Sequence, residues 1–584
     1  MNFVTTVRLV LVALAMAVSA DTIAQAAPER ATGWTPHAPV RAKQWMVAAA
    51  NPLAVDAGYA MLAKGGGAVD AAIAIQLVLG LVEPQSSGLG GGAFMLVHDA
   101  RTRKLVAYDG RETAPSAARA DRFIGADGKP LAFHEAVVGG RSVGVPGVPR
   151  LLELAHRRHG KLPWATLFAP AIALADGGFA VSPRLHALIA AERHFTQARI
   201  RDYFLDASGH PWPTGHWLRN PAYAATLRTL AAHGADAFYE GPIADDVIAT
   251  ADGFAANPGD LTRADLSGYL PVSRAPVCGD YRRYRVCGMP PPSAGGIMLA
   301  QILAMLAPHD VQAMGAQSLW SVHFIGEAER LAFADRGKFI ADPAFIDVPA
   351  GLLDARYLAA RAALIRSDVV FTCATAGEPP RDAHAPLVPS FGAGAAAEFP
   401  STSQIVVVDA AGNAVSMTTT IEDQFGSRLM TAGGFLLNNE LTDFSFVARD
   451  AQGGLVANRV APGKRPRSTM APTIVYDRDG RVFMLVGSPG GPAIVNYVVK
   501  ALVGVIDWGL DPQAAVSLGN FGSRNGPTDL EVGTPVAALA PKLRAMGYDV
   551  RVMRETSGLQ AIVRTRDGWI GGTDPRREGI VRGR

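Results

Sequence analysis

A mixed α+β fold is what this sequence predicts, and three stretches predict it. The first is a hairpin in the middle of the chain. Gln404 to Asp409 carries the β-branched run Ile405-Val406-Val407-Val408, Ala411-Gly412-Asn413 supplies a tight turn, and Ala414 to Ile421 alternates as the returning strand. The second is a pair of alanine-rich and aliphatic helices, Pro52 to Lys64 and Ala68 to Leu81, separated by Gly65-Gly66-Gly67. The third is a buried strand, Phe483 to Val486, that runs into Gly487-Ser488-Pro489-Gly490-Gly491-Pro492 and a helix from Ala493. A chain of 584 residues exceeds one ordinary core. Its length predicts either several domains or one large layered domain with insertions.

From the N-terminus, residues 1–26 read as a secretory signal. Arg8 supplies the positive charge, Leu9 to Val18 the apolar run, and Val18-Ser19-Ala20 or Ala24-Gln25-Ala26 the small-residue cleavage site. The run is short for a stable membrane span, and no later stretch reaches the length needed. A periplasmic or secreted location follows. Net charge is only +3, with no basic block, so nucleic acid is not indicated as a partner.

Gly88-Leu89-Gly90-Gly91-Gly92-Ala93 spells a dinucleotide-binding pattern, but a helix precedes it and a strand follows. A glycine-rich entry to a buried strand explains it better. Leu105 to Asp109 reads as a strand ending in Gly110-Arg111-Glu112-Thr113-Ala114-Pro115, where Arg111 is suited to clamp a carboxylate. Val143 to Leu152 is a punctuated loop leading into a helix through His159, and Trp164 to Asn257 is mostly helical. No histidine or cysteine spacing matches a metal site. Cys278 and Cys287 bracket a small hairpin and read two ways, as a disulfide in an oxidising compartment or as two buried thiols. Pro290 to Gly296 is a rigid turn before a helix to Leu306, and further helices are read over Gln317–Asp335 and Asp354–Ser367. Residues 374–401, rich in proline, alanine and glycine, read as a flexible linker.

That linker gives the hairpin its chemical interest. A turn centred near Gly412 brings Thr402 within about one residue of Thr420 across the strands. Cleavage between Ser401 and Thr402 would leave a threonine whose own α-amino group, with an ordinary pKa of about 7.7–8.0, accepts the hydroxyl proton. The Thr402 hydroxyl can itself attack the Ser401 carbonyl, so no protease is needed. Farther on, Gly434 to Ser445 reads as an apolar strand running into a polar cluster that contains Glu440 and Asp443. Two adjacent hydroxyls, Ser468 and Thr469, lie in Gly463 to Pro472. The Gly490-Gly491 turn offers consecutive N–H groups to an oxyanion.

From Trp45 to the C-terminus the chain resembles the γ-glutamyltransferase family of N-terminal-nucleophile hydrolases. The resemblance rests on seven motifs in order: G-L-G-G-G-A-F, G-R-E-T-A-P, P-P-P-S-A-G-G, T-S-Q-I-V-V-V-D, L-L-N-N-E-L-T-D-F-S, R-P-R-S-T-M-A-P-T and G-S-P-G-G. It implies a four-layer αββα sandwich, self-cleaved into a large subunit (27–401) and a small one (402–584). It implies Thr402 as nucleophile, Thr420 as its hydroxyl neighbour, and Gly490 and Gly491 as the oxyanion hole. Arg111, Ser468 and Thr469 would hold a substrate α-carboxylate, with Glu440 and Asp443 on the α-ammonium and Glu422 as a third carboxylate there. Glutathione-like γ-glutamyl amides are the implied substrates, with water, an amino acid or a peptide as acceptor and no metal or organic cofactor.

Two positions depart from the family pattern. Gln404 stands where histidine is usual, and Glu422 where a neutral residue such as asparagine is usual. The segment between Asp443 and Ser468, where relatives carry a lid, is short and lacks tyrosine. Two alternatives are carried forward: a cephalosporin or glutaryl acylase on the same fold, and a non-catalytic secreted binding protein.

Overall fold

The computed structural model describes residues 33–380, 391–392, 394 and 401–584. The leader read over residues 1–26 and most of the 374–401 linker lie outside these.

Two seven-stranded sheets form the centre. One runs in the order Ile580–Gly583, Met46–Ala49, Ser401–Val408, Ala414–Glu422, Gly92–Asp99, Lys104–Gly110 and Val272–Arg274. The other runs Val40–Ala42, Gly568–Thr573, Gln560–Thr565, Val482–Gly487, Thr473–Tyr476, Tyr284–Gly288 and Val277–Tyr281. The predicted hairpin is central in the first sheet, flanked by Met46–Ala49 and Gly92–Asp99. Both halves of the sequence therefore contribute strands to each sheet. Of the two expectations from length, the chain takes the single layered domain, the four-layer αββα sandwich that the resemblance implies.

Alternation along the Thr402 strand builds the layers. Ile405 and Val407 share a core with the helices Pro52–Ala63 and Ala68–Val82, which cover one outer face. Val406 and Val408 share a second core with Ile474, Met484 and Val486 of the facing sheet. The helices Gly295–Leu306, Ile494–Ile506 and Pro512–Ser517 belong to that second core and cover the other outer face. Helix Ala68–Val82 is buried along its whole length, which is why its sequence is apolar all round rather than striped.

Several local readings change. The helix read over Asp354–Ser367 spans only Ala355–Ala362. The apolar strand read from Gly434 is instead extended chain joined by isolated bridges, Met430 to Leu436 and Gly90 to Leu437, before a 3₁₀ turn at Glu440–Asp443. Cys278 and Cys287 form a disulfide between paired strands. Where the linker is described it is docked. The Gly392 N–H donates to the Leu455 carbonyl at 2.9 Å, and the Gly394 N–H donates to Gly337 at 3.2 Å. Among the described residues no helix is long and apolar enough to cross a membrane.

Candidate active site

The hairpin turn sets the register on which the site depends. The Asp409 carboxylate accepts the N–H groups of Ala411 at 2.9 Å and Asn413 at 3.0 Å, and Gly412 takes φ 84° where a side chain would be strained. From this turn the ladder runs without a slip until Thr402 stands opposite Thr420. A bulge then falls between Ser401 and Thr402, and Ser401 pairs with Glu422, itself at φ 76°. The irregularity therefore lies on the peptide bond proposed for cleavage.

That bond is held on several sides. The Thr420 hydroxyl donates to the Ser401 carbonyl oxygen at 2.6 Å and accepts the Glu422 N–H at 2.9 Å. The two threonine hydroxyls are 3.4 Å apart, longer than a tight hydroxyl bond. Arg577 Nη1 donates to the Thr402 carbonyl at 3.1 Å, and the Ser401 hydroxyl donates to the Gln85 carbonyl at 2.5 Å. A carbonyl polarised by one hydroxyl, with another hydroxyl beside it, is arranged for an N-to-O acyl shift.

A cavity of about 20 Å³ opens in front of Thr402. Arg111, Thr420, Glu422, Glu440, Asp443, Ser468, Thr469, Met470, Gly491 and Ile494 line it with Thr402. Residues scattered over hundreds of positions thus meet at one point. Gly490 stands one residue behind, at φ 135°, where a Cβ would come within 2.5 Å of the Tyr497 ring.

The charges in the pocket are already engaged. Arg111 pairs with Glu440 and with Asp443, and it also donates to the Pro466 carbonyl at 3.1 Å and the Arg467 carbonyl at 2.8 Å. Burial opposes the charge on Arg111, but Glu440 and Asp443 outweigh it and raise its pKa. Glu112, which the sequence reading passed over, is fully buried beside them, and Gly92 leaves it room: a Cβ there would fall 2.1 Å from Glu112 Oε2. Burial pushes both Glu112 and Glu440 up to about 8 despite the attraction of Arg111. Thr469 accepts from Arg336 at 2.7 Å, and Ser468 Oγ accepts the Met470 N–H at 3.0 Å. Arg111 thus faces three carboxyl groups, Glu112, Glu440 and Asp443, and a fourth, Glu422, lines the same cavity. An incoming ammonium group would restore the balance, and an incoming carboxylate would compete for Arg111.

Gln404 does not reach the cavity. Its side-chain amide donates to Ser416 at 3.0 Å and accepts the Thr418 hydroxyl at 2.6 Å, and it lies against Gly487, where a Cβ would be 2.3 Å away. It ties the Thr402 strand to its neighbour and to the facing sheet. The 444–467 segment forms a small loop closed by a bridge between Arg449 and Leu455, with Val456 bridged to Gly392. Glu112 was open to detection beside Arg111 in G-R-E-T-A-P, whereas nothing local marks Arg577, 175 residues from Thr402.

A family model described as gamma-glutamyltranspeptidase matches residues 54–583. The chain is 37% identical over 520 residues to the glutathione hydrolase proenzyme of Bacillus subtilis strain 168, covering 87% of this chain and 85% of that protein. It is 36% identical over 549 residues to the acylase ACY 1 proenzyme of Pseudomonas sp. strain V22, covering 91% and 92%. Among solved structures, cephalosporin acylase from Bacillus halodurans superimposes with a TM-score of 0.81 at 28% identity, covering 97% of this chain and 99% of that one.

Proposed function

The chain belongs to the gamma-glutamyltranspeptidase family, and we propose that it cuts itself before Thr402 and then works from the new N-terminus. It is an enzyme of the γ-glutamyltransferase and glutathione hydrolase kind. The observation that carries the self-cleavage is the Thr420 hydroxyl on the Ser401 carbonyl, with the Thr402 hydroxyl 3.4 Å from it. Thr402 Oγ attacks the Ser401 carbonyl carbon, Thr420 stabilises the charge that develops on the oxygen, and the peptide becomes an ester. The C–N bond breaks in that shift, and the leaving nitrogen keeps the hydroxyl proton as the Thr402 amine; water then hydrolyses the ester and frees the Thr402 hydroxyl, leaving a large subunit ending at Ser401 and a small one starting at Thr402.

In the processed enzyme the amine takes the Thr402 hydroxyl proton as the oxygen attacks a γ-glutamyl amide. Gly490 and Gly491 receive the oxyanion. Arg111, Ser468 and Thr469 hold the substrate α-carboxylate, and Glu422, Glu440 and Asp443 hold its α-ammonium. Binding requires Arg111 to exchange a carboxylate of its own for that of the substrate. The acyl group then passes from Thr402 to water or to an amino acid or peptide. A leader over residues 1–26 and a periplasmic or secreted location belong to the same reading.

A second reading, an acylase for glutaryl or cephalosporin side chains, is favoured by one feature: Arg111 is already paired within the protein. Parallel assays of γ-glutamyl and glutaryl p-nitroanilides on the processed chain separate the two. Faster γ-glutamyl release, lost in Thr402→Ala, supports the first reading. Glutaryl release alone supports the second, and no release of either from a processed chain contradicts both.

A further inference from the structure

The face of the Thr402 strand that turns away from the cavity carries a second ionisable cluster, which none of the roles above uses. Ser401 and Ser403 alternate onto this face with Ile405 and Val407. Glu83 caps the C-terminus of helix Ala68–Val82 here and is 1% exposed. Its Oε2 accepts the Ser403 hydroxyl at 3.0 Å, and its Oε1 lies 3.6 Å from Arg184 Nε. The Arg184 N–H donates to Glu578 at 2.8 Å. Beside Glu578, Arg577 donates to the Ser557 carbonyl at 3.3 Å and to that of Thr402 itself at 3.1 Å.

The groups facing Glu83 are therefore Ser403 from the strand, Arg184 from the helix Pro183–Ala191, and Arg577 and Glu578 from the C-terminal segment. Across the ladder, Glu422 opposes Ser401. Burial holds Glu83 up to about 7 against the attraction of Arg184 and Arg577. An apolar or amide residue would close the helix without burying a charge. A carboxyl kept in the dry interior, bonded to the residue next to Thr402, calls for an electrostatic account.

We propose that Glu83 is a positioning residue that governs, from behind the strand and through Ser403, how firmly the freed Thr402 amino group holds its proton. The inference rests on Thr402 being the N-terminal nucleophile. Loss of Ser401 replaces a neutral amide with an amine at the same place. A nearby carboxylate favours the ammonium form, and the flanking arginines oppose it. Only the neutral amine can accept the hydroxyl proton. Glu83 thus raises the pH below which activity falls, and Arg184 and Arg577 lower it.

The test is kcat/KM against pH for γ-glutamyl-p-nitroanilide on the processed full chain. Glu83→Gln keeps the shape and removes the charge, and it moves the acidic limb down by about one pH unit. Ser403→Ala leaves Glu83 less well solvated and more often neutral, and it moves the limb the same way by less. An unmoved limb in Glu83→Gln overturns the proposal. Should that variant not fold, an unmoved limb in Ser403→Ala overturns it. A wild-type chain that yields no fragment beginning at Thr402 removes the underlying reading and the inference together. A processed, active wild type with unmoved limbs in the variants removes the inference alone.

Discussion

The two faces of the Thr402 strand carry opposite electrostatic arrangements. In front, Arg111 meets Glu112, Glu440 and Asp443, and Glu422, Glu440 and Asp443 border a cavity that Thr402 lines. Behind, one carboxyl group lies between two arginines, with Glu578 at the edge, and only side chains and backbone reach it. The front cluster touches the space where a substrate would sit, so its charges can change partners. The back cluster is buried and touches the Thr402 strand through the Ser403 hydroxyl and the Thr402 carbonyl. In the proposed reading, specificity belongs to the first face and activation to the second.

The largest effect on this contrast is expected from Arg111→Met. Removing Arg111 takes from Glu440 and Asp443 the guanidinium that both are paired with, a loss of about 3–5 kcal/mol. Urea unfolding of the unprocessed Thr402→Ala background reads this directly. A change below about 1 kcal/mol would mean the carboxyls are neutral and the front is not a charged site.

Thr420→Val comes next. It removes the hydroxyl on the Ser401 carbonyl and should slow self-cleavage by about 10²–10³-fold, on the scale of losing one oxyanion donor. Gel time courses check it, and cleavage at the wild-type rate would take Thr420 out of the processing step.

The third expectation concerns pH. Glu112 titrates near 8 in the folded chain against 4.5 for a free side chain. Between those values the folded state holds a proton that the unfolded chain has released, so stability falls as pH rises from about 4.5 to 8. Glu112→Gln removes this share, and its melting temperature should decline less steeply than wild type across that window. Parallel slopes would show that Glu112 is not the group responsible.

Gln404→Ala is the mildest. It takes the Gln404 acceptor from the Thr418 hydroxyl and should cost about 1–3 kcal/mol while self-cleavage continues, because the backbone register sets the Thr402–Thr420 approach. Arrested processing would give Gln404 a part in the chemistry.

Much of this was readable in the sequence. The β-branched run, the Gly412 turn and the alternation after it fixed a ladder in which a count of residues places Thr402 beside Thr420. The motif order brought Arg111, Glu440, Asp443, Ser468 and Thr469 to one site. What the sequence could not carry was the state of those residues. Arg111 is an open clamp on paper, but folding pairs it with Glu440 and Asp443 of the same chain. Glu112 looked like a neighbour of Arg111 and proved part of its cluster. Glu83 and Ser403 are 320 positions apart, and their contact exists only because a helix end packs behind a central strand. The strand expected after Gly434 failed because that stretch serves the Gly90 and Met430 backbones by single bridges and no continuous ladder.

The central claim is that this chain makes its own nucleophile, and intact-mass measurement of the purified wild-type and Thr402→Ala proteins tests it most directly. The account predicts two wild-type fragments, the smaller with the mass of residues 402–584, and one uncut chain in the variant. A single uncut wild-type chain, or a cut at any other bond, would contradict it.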